Sequence, residues 1–342
     1  MRLPYLWIAM LALSFIACKK DKETIVAADT VKTDMTICYD DFWSSQQEFQ
    51  GLAPGANFVY NNKVYFPAYY DTHTADNKVA IFDGTTWTSK PCNISFLTAV
   101  CPFYFTIGNK GYITDFFLSH KRMYAYDFAT NTFTRKADFP GRANTATACF
   151  VIGNKAYVVG GMNDEDGHYT NENWEYNPAT NTWTERQGLF LVRGYASGFS
   201  IDGKGYIING KYPDDLGFYS SLAQYDPVSD SWTTKAVYPG MGRQNSQCFV
   251  IDGKAYVGGG FNNNPNSFIR LKDFYRYTPS TDTWTRVKDL PVEEPFTQYS
   301  FTLNEKGYSI YLVDGQGAAM RRYSPEKCTY IIPSATSAST IQ

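Results

Sequence analysis

Short apolar runs separated by tight polar turns recur along most of this chain. Phe150-Val151-Ile152 and Ala156-Tyr157-Val158 flank Gly153-Asn154-Lys155, and Phe249-Val250-Ile251 and Ala255-Tyr256-Val257 flank Asp252-Gly253-Lys254. Such runs around a Gly-Asn or Asp-Gly pair predict β-hairpins. Each hairpin is followed by a long polar loop, a strand with a tyrosine, a turn of the Pro-Ala-Thr-Asn type, and a strand carrying an aromatic. Residues 129–134, 179–184, 228–233 and 280–285 are near copies of one another, residues 84–88 a shorter relative and 327–330 a degraded one. The anchor aromatics are Trp87, Phe133, Trp183, Trp232, Trp284 and Tyr330, spaced by 46, 50, 49, 52 and 46 residues. Tyr126, Tyr176, Tyr225, Tyr277 and Tyr323 stand seven residues before five of them, and Phe82 stands five before Trp87. Four antiparallel strands in each of six repeats of about fifty residues predict an all-β, six-bladed β-propeller.

A Gly-Gly doublet ends the hairpin at Gly160-Gly161 and Gly259-Gly260 and is half kept at Asn209-Gly210. With the period, these doublets resemble the kelch family over residues 55–333, which implies four-stranded kelch blades. Blades 1, 2 and 6 lack the doublet. Trp43 lies 44 residues before Trp87 and leaves a seventh blade open, although no upstream strands complete it. Residues 36–39 are expected to form a strand just ahead of blade 1, and Cys328 falls on the expected last strand of blade 6. Cys38 and Cys328 are therefore candidates for a disulfide where the ring closes; two unpaired thiols are the alternative.

The first residues belong to no blade. Arg2 precedes an apolar run, 3–16, too short to span a bilayer and long enough for a signal-peptide core. It ends at Ala17-Cys18 before a charged stretch, which resembles the lipobox of bacterial lipoprotein signals; Phe15 and Ile16 depart from its commonest residues. The expected organisation is a lipoprotein signal peptide at 1–17, a tether at 18–35, the propeller at 36–333 and a tail at 334–342. Lipidation of Cys18 would hold a monomer in the bacterial cell envelope, at the outer membrane, touching the bilayer through its anchor alone. A formal net charge of −2 and a pI near 6.0 offer no basic excess for nucleic acid.

Hairpin turns are short and alike, whereas the loops after the hairpins are long and different. These loops should share a rim with the links between blades, and variable loops on a rigid scaffold are where binding concentrates. Arg142, Arg193 and Arg243 recur in three successive links, six to eight residues before Phe150, Phe199 and Phe249. The kelch resemblance implies a ligand role for such arginines, since a guanidinium pairs with a carboxylate through two parallel hydrogen bonds; solvated rim residues are the alternative. Glu293 and Glu294 occupy the link into blade 6, and Tyr212 and Phe261 add aromatic surface. The expected activity is non-catalytic binding of a glycan or an envelope protein, with a structural role in a larger envelope complex as a further alternative. A mutarotase acting on an acidic sugar such as sialic acid, with Glu293 or Glu294 as acid/base, is the enzymatic alternative that the resemblance suggests. No cofactor or metal is expected: His73, His120 and His168 belong to different loops, and residues 164–167 read as a solvated acidic loop rather than an EF-hand. Cys149 and Cys248 read as buried small residues.

Overall fold

The structure, a computed structural model, describes residues 35–39, 42–45, 56–71, 76–93, 103–115, 121–213, 217–264, 267–291, 297–313, 317–325 and 327–331. It divides into a large unit, 38–327, and a small one composed of 1–37 with 328–342. The large unit is a ring of six four-stranded antiparallel sheets. Blade 1 is Phe58–Tyr60, Lys63–Asp71, Asp76–Phe82 and Trp87–Pro91; blade 2 is Tyr104–Ile107, Lys110–Asp115, Arg122–Asp127 and Thr132–Arg135. Blade 3 is Ala148–Ile152, Lys155–Val159, Asn173–Asn177 and Thr182–Arg186; blade 4 is Ser197–Ile201, Lys204–Ile208, Leu222–Asp226 and Ser231–Lys235. Blade 5 is Gln247–Ile251, Lys254–Gly258, Phe274–Thr278 and Thr283–Val287. Blade 6 takes Thr297–Leu303, Lys306–Val313 and Gly317–Ser324 from the end of the chain and Phe42–Ser45 from its beginning. First strands lie against first strands all round, blade 6 against blade 1 included.

That last strand corrects the sequence reading. Tyr330 is not the sixth anchor; Trp43 pairs with Tyr323 in the same register as Trp284 with Tyr277 and Trp232 with Tyr225. Trp43 therefore completes the sixth blade instead of beginning a seventh. The reason lies in the turn. In blades 2 to 5 the third-strand tyrosine donates its hydroxyl to an Asn or Asp five residues on, Asn131, Asn181, Asp230 and Asp282. Each of these adopts a left-handed conformation, with φ between 47° and 58°, which Asn and Asp tolerate best among residues with a side chain. Five residues after Tyr323 stands Cys328, which offers no comparable acceptor. The strand Lys327–Ile331 pairs instead with Met35–Tyr39 in a separate two-stranded sheet. The side chains of Cys38 and Cys328 lie outside the described residues.

The Asx residues do a second job. Asn181, Asp230 and Asp282 also accept the backbone N–H of Ala137, Gln187 and Ala236, each 3.0 Å away in the segment leaving the preceding blade. The indole N–H groups of Trp183, Trp232 and Trp284 donate to the carbonyls of those same three residues, at 3.2, 2.8 and 2.9 Å. Blade 2, with Phe133 in place of tryptophan, uses the Asn93 side chain, which bonds both the N–H and the carbonyl of Phe133.

Apolar burial follows the same seams. Six buried clusters correspond to the six blade–blade contacts, so the ring has no common centre to its core. Val64, Phe66, Ala80 and Phe82 of blade 1 meet Phe301, Leu303, Tyr308, Ile310 and Met320 of blade 6, closing the circle. Close approach is enforced by small residues: a Cβ on Gly205 would lie 2.1 Å from the ring of Phe150 in the preceding blade.

Two outcomes are expected. A chain starting at residue 46 should melt well below one starting at residue 35, because blade 6 loses its outer strand and exposes its edge; equal urea midpoints would refute closure by Phe42–Ser45. Asp282→Ala should cost about 1–3 kcal/mol in urea unfolding by orphaning the Ala236 N–H and the Tyr277 hydroxyl, while Asp282→Asn should cost much less. Burial raises the Asp282 pKa, but the Ala236 amide, the Tyr277 hydroxyl and Lys235 outweigh it and the net shift is downward. The stabilisation is therefore present above the ordinary carboxylate pKa near 4 and fades as pH falls through the lower folded value.

Candidate functional site

The links between blades and the loops after second strands meet on one rim. Asn144 and Thr145 donate to the Met162 carbonyl, Gly194 and Lys211 exchange backbone hydrogen bonds, and so do Gln244 and Phe261. Four residues before Phe150, Phe199 and Phe249 stand Ala146, Tyr195 and Asn245, all left-handed, at φ 56°, 57° and 53°. A side chain there is strained by about 1–2 kcal/mol, and the hydrogen bonds of the ring hold it. Tyr195 N–H donates to Ala146 O at 2.8 Å and Asn245 N–H to Tyr195 O at 3.0 Å, so the end of each link is tied to the end of the one before.

The glycine doublets explain the arginines. Gly161 N–H donates to the carbonyl of Arg193, and Gly210 N–H to that of Arg243, both at 2.8 Å. A Cβ on Gly160 would stand 2.5 Å from the Arg193 carbonyl oxygen. Each arginine then reaches forward with its side chain: Arg193 Nη1 donates to Asn209 O at 3.1 Å and Arg243 Nη1 to Gly259 O at 3.0 Å. Backbone to the blade behind and guanidinium to the blade ahead, these residues stitch the ring.

Arg193 is 1% exposed and Arg243 is wholly buried, so neither guanidinium is a solvated rim group. Arg243 stacks on Tyr238, with 4.8 Å to the ring centre, donates from Nε to Met241 O at 2.9 Å and pairs through Nη2 with Asp273 at 2.7 Å. Arg193 stacks on Tyr219 at 4.2 Å and donates from Nη2 to Ser221 Oγ at 3.2 Å. Desolvation brings its pKa down to about 10 against the opposing pull of Tyr219 and Tyr212. Arg142 behaves differently because it is offset by two positions. It stands eight residues before its phenylalanine, and the position six before Phe150 is Asn144, bonded to Asp164 by both side chain and backbone. Arg142 is on the surface, paired at 2.9 Å with Asp166, which also accepts the His168 amide at 2.9 Å. The His168 amide first and Arg142 second bring the Asp166 carboxyl down to about 2.

Tyr212 is half-buried, edge-on to Tyr219 at 3.9 Å between ring centres, and Phe261 lies against Phe268 at 5.2 Å. Glu293, Glu294, Cys18, His73 and His120 lie outside the described residues. Among the described residues, no group of three or more His, Cys, Asp or Glu side chains is arranged to hold a metal ion. Sequence reasoning passed over the residue four places before each third-strand tyrosine: Glu172 in blade 3, Ser221 in blade 4 and Asp273 in blade 5. Glu172 accepts the Arg142 N–H at 2.8 Å and the Trp174 indole N–H at 2.9 Å. Stacking the repeats on their tyrosines would have exposed that column.

Residues 111–315, well over half of the chain, match the KLHDC2/KLHL20/DRC7 Kelch-repeats domain. The chain belongs to the kelch-repeat family. Among curated proteins it is similar to an N-acetylneuraminate epimerase of Haemophilus influenzae (strain PittEE), 32% identical over 86 residues that cover 25% of this chain and 22% of that one. It is also similar to the F-box/kelch-repeat protein At1g67480 of Arabidopsis thaliana, 31% identical over 98 residues, 27% of this chain and 25% of that protein. The match thus spans about a quarter of the length of these relatives. The solved structure of YjhT superposes with a TM-score of 0.64 at 14% identity, covering 83% of this chain and 98% of that one, a likeness of fold.

Arg243→Met should destabilise the kelch ring by about 3–5 kcal/mol in urea unfolding, since it strands Asp273 and the Gly259 carbonyl. Arg142→Ala, which breaks only a surface pair, should leave the midpoint close to wild type. Equal effects of the two substitutions would refute this division between stitching and surface arginines.

Proposed function

We propose that this kelch protein is a lipid-anchored binding protein of the bacterial cell envelope that engages a glycan or an envelope protein through its loop-rich rim. The distribution of exposed large apolar side chains carries this reading. Among the described residues, Phe190 and Leu191 lie in the link from blade 3 to blade 4, Val237 and Met241 in the next link, and Phe268 and Ile269 in the hairpin Phe261–Asn264 with Ser267–Arg270 of blade 5; Val228 alone belongs to a turn on the other rim. The Asn262 side chain donates to Gly242 O at 2.8 Å, which seats the hairpin beside Met241. Exposed apolar and aromatic groups gathered on variable loops are what a binding face requires, and the Arg270 guanidinium, 5.6 Å from the Phe268 ring centre, adds polar recognition beside it. The tether and anchor rest on the apolar run ending at Cys18.

The test is a glycan array with the form lacking residues 1–18, alongside the same form carrying Met241→Ser and Phe268→Ser. Binding that the double substitution abolishes without lowering the melting temperature supports the rim; binding unaffected by it sinks the proposal. Cys18→Ala should move the full chain from the membrane fraction to the soluble one. Local similarity to an N-acetylneuraminate epimerase supplies the competing outcome: acceleration of sialic-acid anomer exchange, followed by NMR, would mark an enzyme instead.

A further inference from the structure

The hairpin Phe261–Asn264 with Ser267–Arg270 is fixed to the rim through its first strand. Phe261 pairs on one side with Gln244, in the link into blade 5, and on the other with Arg270. Side chains of the same strand add two ties. Asn262 Nδ2 donates to Gly242 O at 2.8 Å, and Asn263 Oδ1 accepts Gln244 Nε2 at 3.0 Å. The second strand is therefore the outer one, and successive residues on a strand face opposite ways. Phe268 is nonetheless 49% exposed and Ile269 37%, so both faces of the outer strand are open among the described residues. Arg270 stands 5.6 Å from the centre of the Phe268 ring, and Lys272 is exposed just beyond it. Residues 259–272 contain these two cations and no Asp or Glu, in a chain whose formal net charge is −2.

A flat partner surface covers one face of such an edge, whereas a fluid phase covers both at once. The exposed pair is one aromatic and one aliphatic on opposite sides, so it forms no platform for a sugar ring. Apolar side chains with cations beside them match the boundary between acyl chains and anionic headgroups. We infer that the outer strand of this hairpin seats in the interfacial region of an anionic phospholipid bilayer. Phe268 and Ile269 enter among the upper acyl chains, and Arg270 and Lys272 meet the phosphates. A guanidinium takes a phosphate through two parallel N–H donors, and an ammonium serves as a point charge. Contact with the bilayer is then not confined to a lipid on Cys18. The assignment goes beyond the rim-binding reading and does not need it, since Phe190, Leu191, Val237 and Met241 of the links remain for a glycan or a protein.

Vesicle flotation tests it with the form lacking residues 1–18, which keeps every strand of the ring and carries no lipid on Cys18. Binding to phosphatidylglycerol vesicles should exceed binding to phosphatidylcholine vesicles and weaken as salt rises. A basic side chain near an anionic surface is worth about a fivefold change in affinity. Arg270→Gln combined with Lys272→Gln should therefore lower binding to the anionic vesicles by about 20- to 30-fold. Phe268→Ser combined with Ile269→Ser should lower binding to both kinds of vesicle. All four side chains are exposed, so melting temperatures should stay close to wild type. The cation pair carries the test alone if the serine variant fails to fold. Equal binding to the two kinds of vesicle would overturn the assignment, as would binding that neither variant changes. A glycan or protein that binds at the hairpin while vesicles are ignored would overturn it too, and would leave the rim-binding reading standing.

Discussion

Each blade from 3 to 5 grips one residue in the segment that leaves the outermost strand of the blade before it. Its N–H is held by an Asn or Asp and its carbonyl by a tryptophan indole, and both belong to the next blade. The Asx is itself fixed by the tyrosine hydroxyl of its own third strand, so the clamp runs from a buried aromatic to a left-handed turn to a neighbouring backbone. Since all the apolar clusters sit in seams rather than at an axis, no blade has a core of its own. A blade is stable only as half of two interfaces. The spacing of tyrosine, Asx and tryptophan is conserved from repeat to repeat because the clamp needs all three at once.

The later part of each of these links is stitched by different means. Arginines cross from one blade to the next under the glycine doublets, and left-handed residues tie link to link. These fastenings lie beneath the surface, and the long loops above them are left to vary. The same column of positions carries Glu172, Ser221 and Asp273, so one scaffold site is tuned by charge from blade to blade without disturbing the backbone that supports it.

The propeller was legible because its clamp is written as a sequence period, tyrosine to Asx to aromatic, in four nearly identical copies, three of them with tryptophan. Ring closure was not, because Tyr330 keeps the seven-residue spacing from Tyr323 while Cys328 lacks the oxygen that makes the turn. Strand pairing, unlike spacing, depends on that oxygen. The arginines were visible as a recurrence, yet their environment was hidden. A spacing of six to the following phenylalanine buries the guanidinium, and one of eight leaves Arg142 on the surface, a difference that a window of six to eight erases. Burial of a charged side chain is decided by partners on another blade, which no local pattern reports.

A ring sealed by its own beginning has an order of events built into it. Phe42–Ser45 leaves the ribosome before blades 1 to 5, yet its partner, Arg321–Ser324, follows them. Until that partner emerges, the early strand has no edge to join and the edge of blade 6 does not exist. Contacts between such distant parts of a chain are slow to form, and an unpaired strand waiting for its mate is exposed to wrong pairings in the meantime. A nascent chain stalled after blade 5 would therefore hold several finished seams and remain an open arc, unable to bury the flank of blade 1 that Phe301, Tyr308 and Met320 will cover.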